Sequence, residues 1–148
     1  MSKPAGVSFT TTRKIRDRCL CLHVQRAARM VARRFDEALR PLGLTHGQFS
    51  LLNALNRPQP ARMGSVATLL AMDRTTLTAA LKPLQRRGLL SVSVDPDDRR
   101  SRILELTPRG RSHLAAAIPV WMRTHAEIER LLAANEPKLL RQGLNKLS

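Results

Sequence analysis

Tyrosine is absent from this chain, and aromatic residues of any kind are scarce: three Phe and one Trp, 3% of the sequence. Any core must therefore draw its volume from aliphatic side chains, and no phenolic hydroxyl is on hand for catalysis or ligand binding. Cysteine is limited to Cys19 and Cys21, separated by Leu20. Two thiols so placed give neither a disulfide framework nor a zinc pattern. No apolar run approaches the roughly 18 residues of a membrane span. The amphipathic segments carry Leu and Ala rather than the Trp and Phe anchors of interfacial helices, so no membrane partner is expected. Acid is also short, with 11 Asp and Glu against 26 Lys and Arg and a formal charge of +15. That imbalance implies a polyanionic partner, nucleic acid before any other. The histidines, His23, His46, His113 and His125, lack metal-ligand spacing. No Ser/His/Asp set, phosphate-cradling Gly loop or paired carboxylate is evident either, so neither an enzyme nor a metal or cofactor is expected. Met1-Ser2-Lys3-Pro4 begins neither a signal peptide nor a myristoylation site, which points to the cytoplasm.

What is present is organised around Met63–Gly110, within a length of 148 residues that suits one domain. Ser65 is placed to cap a short helix whose Val66, Leu69 and Leu70 recur at helical spacing. Ala71-Met72 makes a turn, and Asp73 caps a second helix with its carboxylate at the positive end. Leu77, Leu81 and Leu84 share one face of that helix, which must bury. Arg74, Thr75, Thr76, Thr78, Ala79 and Lys82 point elsewhere, a short-side-chain surface with flanking cations that suits approach to base edges and phosphates. Pro83 removes the bond to the Ala79 carbonyl and is expected to bend the helix. Gly88 stops it after Arg86-Arg87.

Two alternating strands follow, Leu89–Val94 and Arg102–Leu106. The loop between them, Asp95-Pro96-Asp97-Asp98-Arg99-Arg100-Ser101, has acids at its base and arginines at its tip. Arg100 is placed to enter a narrow, electronegative minor groove, and Asp98 to hold a nearby arginine. The pattern is a helix-turn-helix with a β-ribbon wing.

Here the resemblance to a known family becomes specific. DPDDRRSRILELTPRG is similar to the wing signature of the MarR family of bacterial transcriptional regulators, and MDRTTLTAALKPLQRRGLL resembles its recognition helix. GLTHGQFSLL, Gly43–Leu52, shares the family's look, so the resemblance covers nearly the whole chain. It implies a mainly α fold with a small β-wing: a winged helix-turn-helix lobe over residues 62–107 and a helical dimerisation region over 12–56 and 107–148. Expected DNA contacts are Ser65, Arg74, Thr75, Thr76, Thr78, Lys82, Arg86, Arg99, Arg100 and Arg102. The resemblance further implies a cleft between the dimer helices and the DNA lobe for small aromatic or phenolic effectors, with His23, Met30, Trp121 and His125 as its lining.

The flanks read as helices. Residues 1 to about 10 are small and polar and expected to fray. Thr12–Arg40 reads as one long helix, with Leu20, Val24, Ala27, Val31, Phe35 and Ala38 as its apolar stripe. Pro41 and Gly43 end it, and Thr45-His46-Gly47-Gln48 is a capping box for a helix reaching Asn56. Arg57–Pro60 is a loop. Thr107-Pro108 opens a last long helix bearing Leu114, Ile118, Trp121, His125, Ile128 and Leu132, with a kink at Pro119. Asn135 is expected to cap a terminal helix. Leu131, Leu132, Leu140, Leu144 and Leu147 exceed what one small lobe can cover, which predicts a symmetric dimer reading a near-palindrome in double-stranded DNA.

These residues lead to a sequence-specific dimeric repressor released by a small effector. Two alternatives stand beside it. Cys21 lies where the hydroperoxide-sensing branch of the family keeps its reactive thiol, although this chain lacks the tyrosines that hold the thiol there, with Phe35 and Gln25 at the nearby positions where they would help, and the plainer reading is a small buried hydrophobe. A non-specific architectural DNA-binding protein is the other.

Overall fold

The computed structural model describes residues 6–148. Along them run α1 (Phe9–Arg18), α2 (Leu20–Leu39), a 3-10 turn (Arg40–Leu42), α3 (His46–Ala54), β1 (Ala61–Arg62), α4 (Met63–Leu69), α5 (Arg74–Arg86), β2 (Leu90–Val94), β3 (Arg102–Leu106), α6 (Pro108–Glu129) and α7 (Glu136–Asn145). The architecture is mainly helical with one small antiparallel sheet, as the sequence pattern predicts.

The first long helix is the main correction, because it is two helices. Ser8 caps α1, accepting from the Thr11 N–H at 3.2 Å, so order begins ahead of Thr12. Residues 6–8 are irregular, and the first five lie outside the described residues. At Cys19 the backbone turns extended (φ −69°, ψ 106°), and the Cys19 thiol takes over as cap, accepting from the Leu22 N–H at 3.4 Å. The expected apolar stripe is correspondingly split. Leu20 and Val24 remain exposed, whereas Val31, Phe35 and Ala38 are half-buried and Leu39 is fully buried. Gly43, in a left-handed conformation (φ 65°), closes the turn, and Thr45 and Gln48 form the predicted capping box of α3.

Chain entry into the reading lobe also differs from expectation. Ala61 and Arg62 pair with Leu104 and Ile103 as a third strand, giving the sheet order β1-β3-β2. The extended Arg62 runs directly into α4 at Met63, so Ser65 sits inside the first turn rather than at the cap. Leu69 is exposed, against the expectation from its spacing; Val66 is buried and Leu70 half-buried in its place. Ala71 makes the tight turn with φ 51°. Helix α5 then runs unbroken through Pro83 and ends at Arg87-Gly88, with Gly88 at φ 70°.

The two long strands pair in the register Leu90↔Leu106 and Val92↔Leu104, which puts Leu90, Leu104 and Leu106 on the buried face. That face joins Leu39, Phe49, Leu52, Val66, Leu77, Leu81, Leu84 and Leu114 in one core, aliphatic apart from Phe49 among these. Thr107 locks sheet to helix: its hydroxyl donates to the Gly88 carbonyl at 2.6 Å and accepts from the Gly110 N–H at 3.0 Å. Helix α6 is continuous through Pro119. Asn135 stands at the start of α7 in helical conformation and makes no side-chain cap; instead the Glu136 carboxylate accepts from the Ala133 N–H at 2.8 Å. No residue of α7 is buried, and Leu131, Leu139, Leu140, Leu144 and Leu147 are exposed.

Candidate nucleic-acid interface

The outward face of α5 follows from its inward one. With Leu77, Leu81 and Leu84 sealed in the core, Arg74, Thr75, Thr76, Thr78, Lys82 and Arg86 all stand exposed. Asp73 fixes the start of this face. Its carboxylate accepts from the Thr76 N–H at 2.7 Å and the Thr76 hydroxyl at 2.9 Å. Those bonds, the backbone one foremost, hold the Asp73 carboxyl below the usual carboxylate range. The Thr78 hydroxyl donates to the Arg74 carbonyl at 2.7 Å. With their protons so committed, Thr76 and Thr78 offer the outside a methyl and an accepting oxygen. That pair of groups suits thymine methyls and the amino groups of adenine or cytosine. Ser65 is exposed on the neighbouring α4.

The wing is held at its root. Asp95, 1% exposed, ends β2; one oxygen accepts from the Asp97 N–H at 2.9 Å and the other lies 3.2 Å from Arg62 Nε. A second Arg62 nitrogen stands 3.8 Å from Asp97. Asp98 does not hold a guanidinium as expected. It accepts from the Arg100 backbone N–H at 3.0 Å and so shapes the turn itself. Arg102 folds back on the wing, donating to the Arg99 and Ser101 carbonyls at 3.2 Å each. Arg99 and Arg100 are exposed and have no side-chain partner among the described residues, leaving two cations at the tip.

A cavity of about 340 Å³ opens between α2, α3 and α6, walled by Ala28, Ala32, Phe35, Phe49 and Trp121 with His46 at its edge. Trp121 stacks against Phe35 (6.4 Å between centroids), Phe49 (6.1 Å) and His125 (4.7 Å). His125 in turn lies 3.9 Å from Glu129, whose carboxyl is held below its ordinary range by the Arg141 guanidinium at 2.8 Å and, more weakly, by His125. At the cavity edge Asp36 accepts from the His46 N–H (2.8 Å) and faces its ring nitrogen (2.9 Å), bonds that lower its pKa, the backbone one most. Of the four residues expected to line an effector cleft, Trp121 and His125 are thus brought together. His23 and Met30 lie exposed on α2, outside this cavity, and the His23 ring turns to the Cys19 carbonyl at 2.7 Å.

Among solved structures, the chain is similar to the DNA complex of the transcriptional regulator MosR of M. tuberculosis, at 36% identity. The match covers 86% of this chain and 92% of MosR, with a TM-score of 0.77, and the MarR family profile matches residues 44–101. This chain belongs to the MarR family. It is a transcriptional regulator, of a family whose members bind DNA and are not enzymes. The transcriptional repressor CouR bound to a 23-mer duplex is 29% identical, covering 97% of this chain and 99% of CouR with a TM-score of 0.79. CouR bound to p-coumaroyl-CoA is 28% identical over 90% and 94% of the two chains, again at 0.79. Among curated proteins, the transcriptional activatory protein BadR of Rhodopseudomonas palustris is 34% identical over 95 residues, 62% of this chain. The match spans only about half of BadR, 54% of its length.

Within this MarR-family chain, two anchoring residues escape sequence reasoning. Arg62 belongs to a two-residue strand too short to show any period, and Arg87 makes its contact 44 positions away, where its guanidinium donates to the Gly43 carbonyl at 2.8 Å. Cys21 is a correction: it is exposed, not a buried hydrophobe, and its sulfur accepts from the Gln25 amide at 3.3 Å. No described helix is long and apolar enough to cross a membrane, and the described residues contain no His/Cys/Asp/Glu group arranged to hold a metal.

Proposed function

We propose that this MarR-family regulator works in the cytoplasm as a symmetric dimer that grips near-palindromic duplex DNA, represses transcription, and is released by a small aromatic effector. The observation that carries the DNA reading is the surface of α5: threonines and cations outside, three leucines fully committed inside, and two free arginines at the wing tip. Residues 62–107 serve as the reading lobe, and residues 12–56 and 107–148 as the dimerisation region. The exposed leucines of α7 support a second copy, because a helix with no buried residue contributes little to a lone chain. Two-fold symmetry then sets the recognition helices about 34 Å apart, one duplex turn.

The aromatic-walled cavity supports the effector, as does the likeness to CouR, solved both with DNA and with p-coumaroyl-CoA. An occupant wedged between α2, α3 and α6 favours one spacing of the two lobes, and only some spacings fit successive major grooves. The test is a footprint on the DNA flanking the protein's own coding region, repeated with aromatic acids and their CoA thioesters. Protection of a near-palindrome that one of these compounds abolishes is the expected result. Equal affinity for random duplex would instead mark an architectural protein. Arg100→Ala is expected to reduce the slope of log affinity against log salt by about 0.9, one neutralised phosphate.

One observation favours a second reading. Cys21 is exposed and its sulfur receives an amide hydrogen bond, so it is accessible to peroxide as a buried thiol is not. A Cys21→Ser protein that still leaves its DNA on oxidation excludes this role.

A further inference from the structure

The turn that ends α2 is held by two other helices at consecutive carbonyls. The Leu42 carbonyl accepts from Nε2 of His113, on α6, at 2.7 Å, which fixes that ring in its Nε2–H form. The Gly43 carbonyl accepts from Arg87, at the C-terminal cap of α5, at 2.8 Å. Arg87 sits so close over this turn that a Cβ on Gly43 would lie 3.2 Å from its guanidinium. The same turn continues directly from α2, where Phe35 and Leu39 wall the aromatic cavity.

We infer that Arg87 is a positioning residue that couples the cavity to the recognition helix by fastening the C-terminal end of α5 to the turn at the end of α2. Leucine packing holds α5 against the core but is non-directional, so it resists separation more than sliding. A guanidinium–carbonyl bond is directional and charge-assisted, and it weakens steeply once misaligned. When α2 shifts around an occupant, the Gly43 carbonyl shifts with it and the end of α5 follows, while His113 keeps the turn registered on α6. The inference rests on the proposed DNA reading and assigns its regulation to one contact. Coupling of this kind is reciprocal, so DNA on α5 must also be felt in the cavity.

That reciprocity supplies an assay that needs no identified effector. Trp121 is the chain's one tryptophan and stands in the cavity wall, so intrinsic emission reports the cavity. Full-length protein is titrated at low salt with a random-sequence duplex and with the DNA flanking its coding region, and binding is followed separately by anisotropy of labelled duplex. In the wild type, Trp121 emission is expected to change on saturation with DNA. Arg87→Met should bind duplex within about threefold of wild type, having lost at most one long-range charge, yet lose more than half of the emission change. Arg87→Lys, which keeps charge and a donor, should recover most of it. His113→Phe, which removes the neighbouring bond, gives the same test if Arg87→Met fails to fold. A full wild-type emission response in Arg87→Met, or in His113→Phe where Arg87→Met does not fold, overturns the inference, as does a wild type whose emission ignores bound DNA; in either case the DNA reading stands. Absence of duplex binding at low salt overturns both together.

Discussion

Replacing Gly110 by alanine offers a sharp test of how the reading lobe joins α6. Gly110 is in the first turn of that helix, where alanine by intrinsic propensity would gain about 1 kcal/mol over glycine. Packing reverses the sign. A Cβ here would stand 2.9 Å from the Leu89 carbonyl carbon and 3.3 Å from its Cα, and closer still to the carbonyl oxygen. Ordinary contact needs about 3.5 Å. All three are backbone atoms at the entry to β2, so no side chain can rotate away. Relief requires α6 and the sheet to part, and that movement breaks the Thr107 N–H to Leu89 carbonyl bond (3.2 Å) and strains the Thr107 hydroxyl bond to Gly88 (2.6 Å). Overpacking against backbone with a lost hydrogen bond should cost about 3 kcal/mol or more. For a chain of this length that corresponds to a fall in Tm of roughly 10 °C. The assay is thermal and urea unfolding at fixed protein concentration. Gly64→Ala, in the first turn of α4 where nothing lies within 4 Å, serves as control and should be neutral or slightly stabilising. A Gly110→Ala protein as stable as its parent would refute the close approach of α6 to Leu89.

Three further outcomes are expected. Asp95→Ala leaves the Asp97 N–H without its acceptor and the Arg62 guanidinium without its nearest carboxylate, which should cost about 1–3 kcal/mol of stability and weaken binding in the proposed DNA complex severalfold by freeing the wing, measured by urea unfolding and duplex anisotropy. Asp36 and Asp73 have carboxyls depressed by hydrogen bonds in the folded state, so the stability they contribute is fully present above about pH 4 and is lost as pH falls through their folded values. Thermal scans in acid should show that decline, and Asp36→Asn should flatten it. Charging the exposed face of α7 with Leu140→Glu and Leu144→Glu should convert the proposed dimer to monomer by sedimentation and lower DNA affinity, whereas an unchanged mass would remove α7 from the proposed interface.

Sequence reasoning reached the parts of the fold specified by neighbours. Asp73 and Gly88 bracket α5 because a cap and a left-handed stop act within a turn of themselves, and the alternation from Leu90 onward gives a strand because its period lies in the strand alone. The parts it missed depend on distance or on uncommon chemistry. Nothing near Cys19 breaks a helix by propensity, and a thiol is a rare cap, so the division between α1 and α2 leaves no mark in the pattern. Arg62 meets Asp95 only because β1 pairs with β3, and two residues cannot display a period. In the proposed interface the exposed cations were legible from the helical spacing, but the Thr76 and Thr78 proton commitments and the folded-back Arg102 were not, because each depends on a rotamer. Why this cavity takes in Trp121 but neither His23 nor Met30 has a related cause. His23 and Met30 share a helix with Ala28, Ala32 and Phe35 of the cavity wall, and only the packing of α3 and α6 selects which side of that helix is enclosed.

The buried carboxylate at the foot of the wing confines whatever adjustment the ribbon makes on docking. With Asp95 pinned to Arg62 and to the Asp97 amide, the paired strands behave as a stiff stem, and freedom is restricted to the few residues from Pro96 to Ser101. Immobilising a residue costs on the order of 1–2 kcal/mol, so a short tip on a fixed stem sacrifices far less entropy when its arginines settle than a ribbon free along its whole length. In the proposed complex, a groove of different width is therefore met by movement of the arginine tip alone, without bending the strands that carry it.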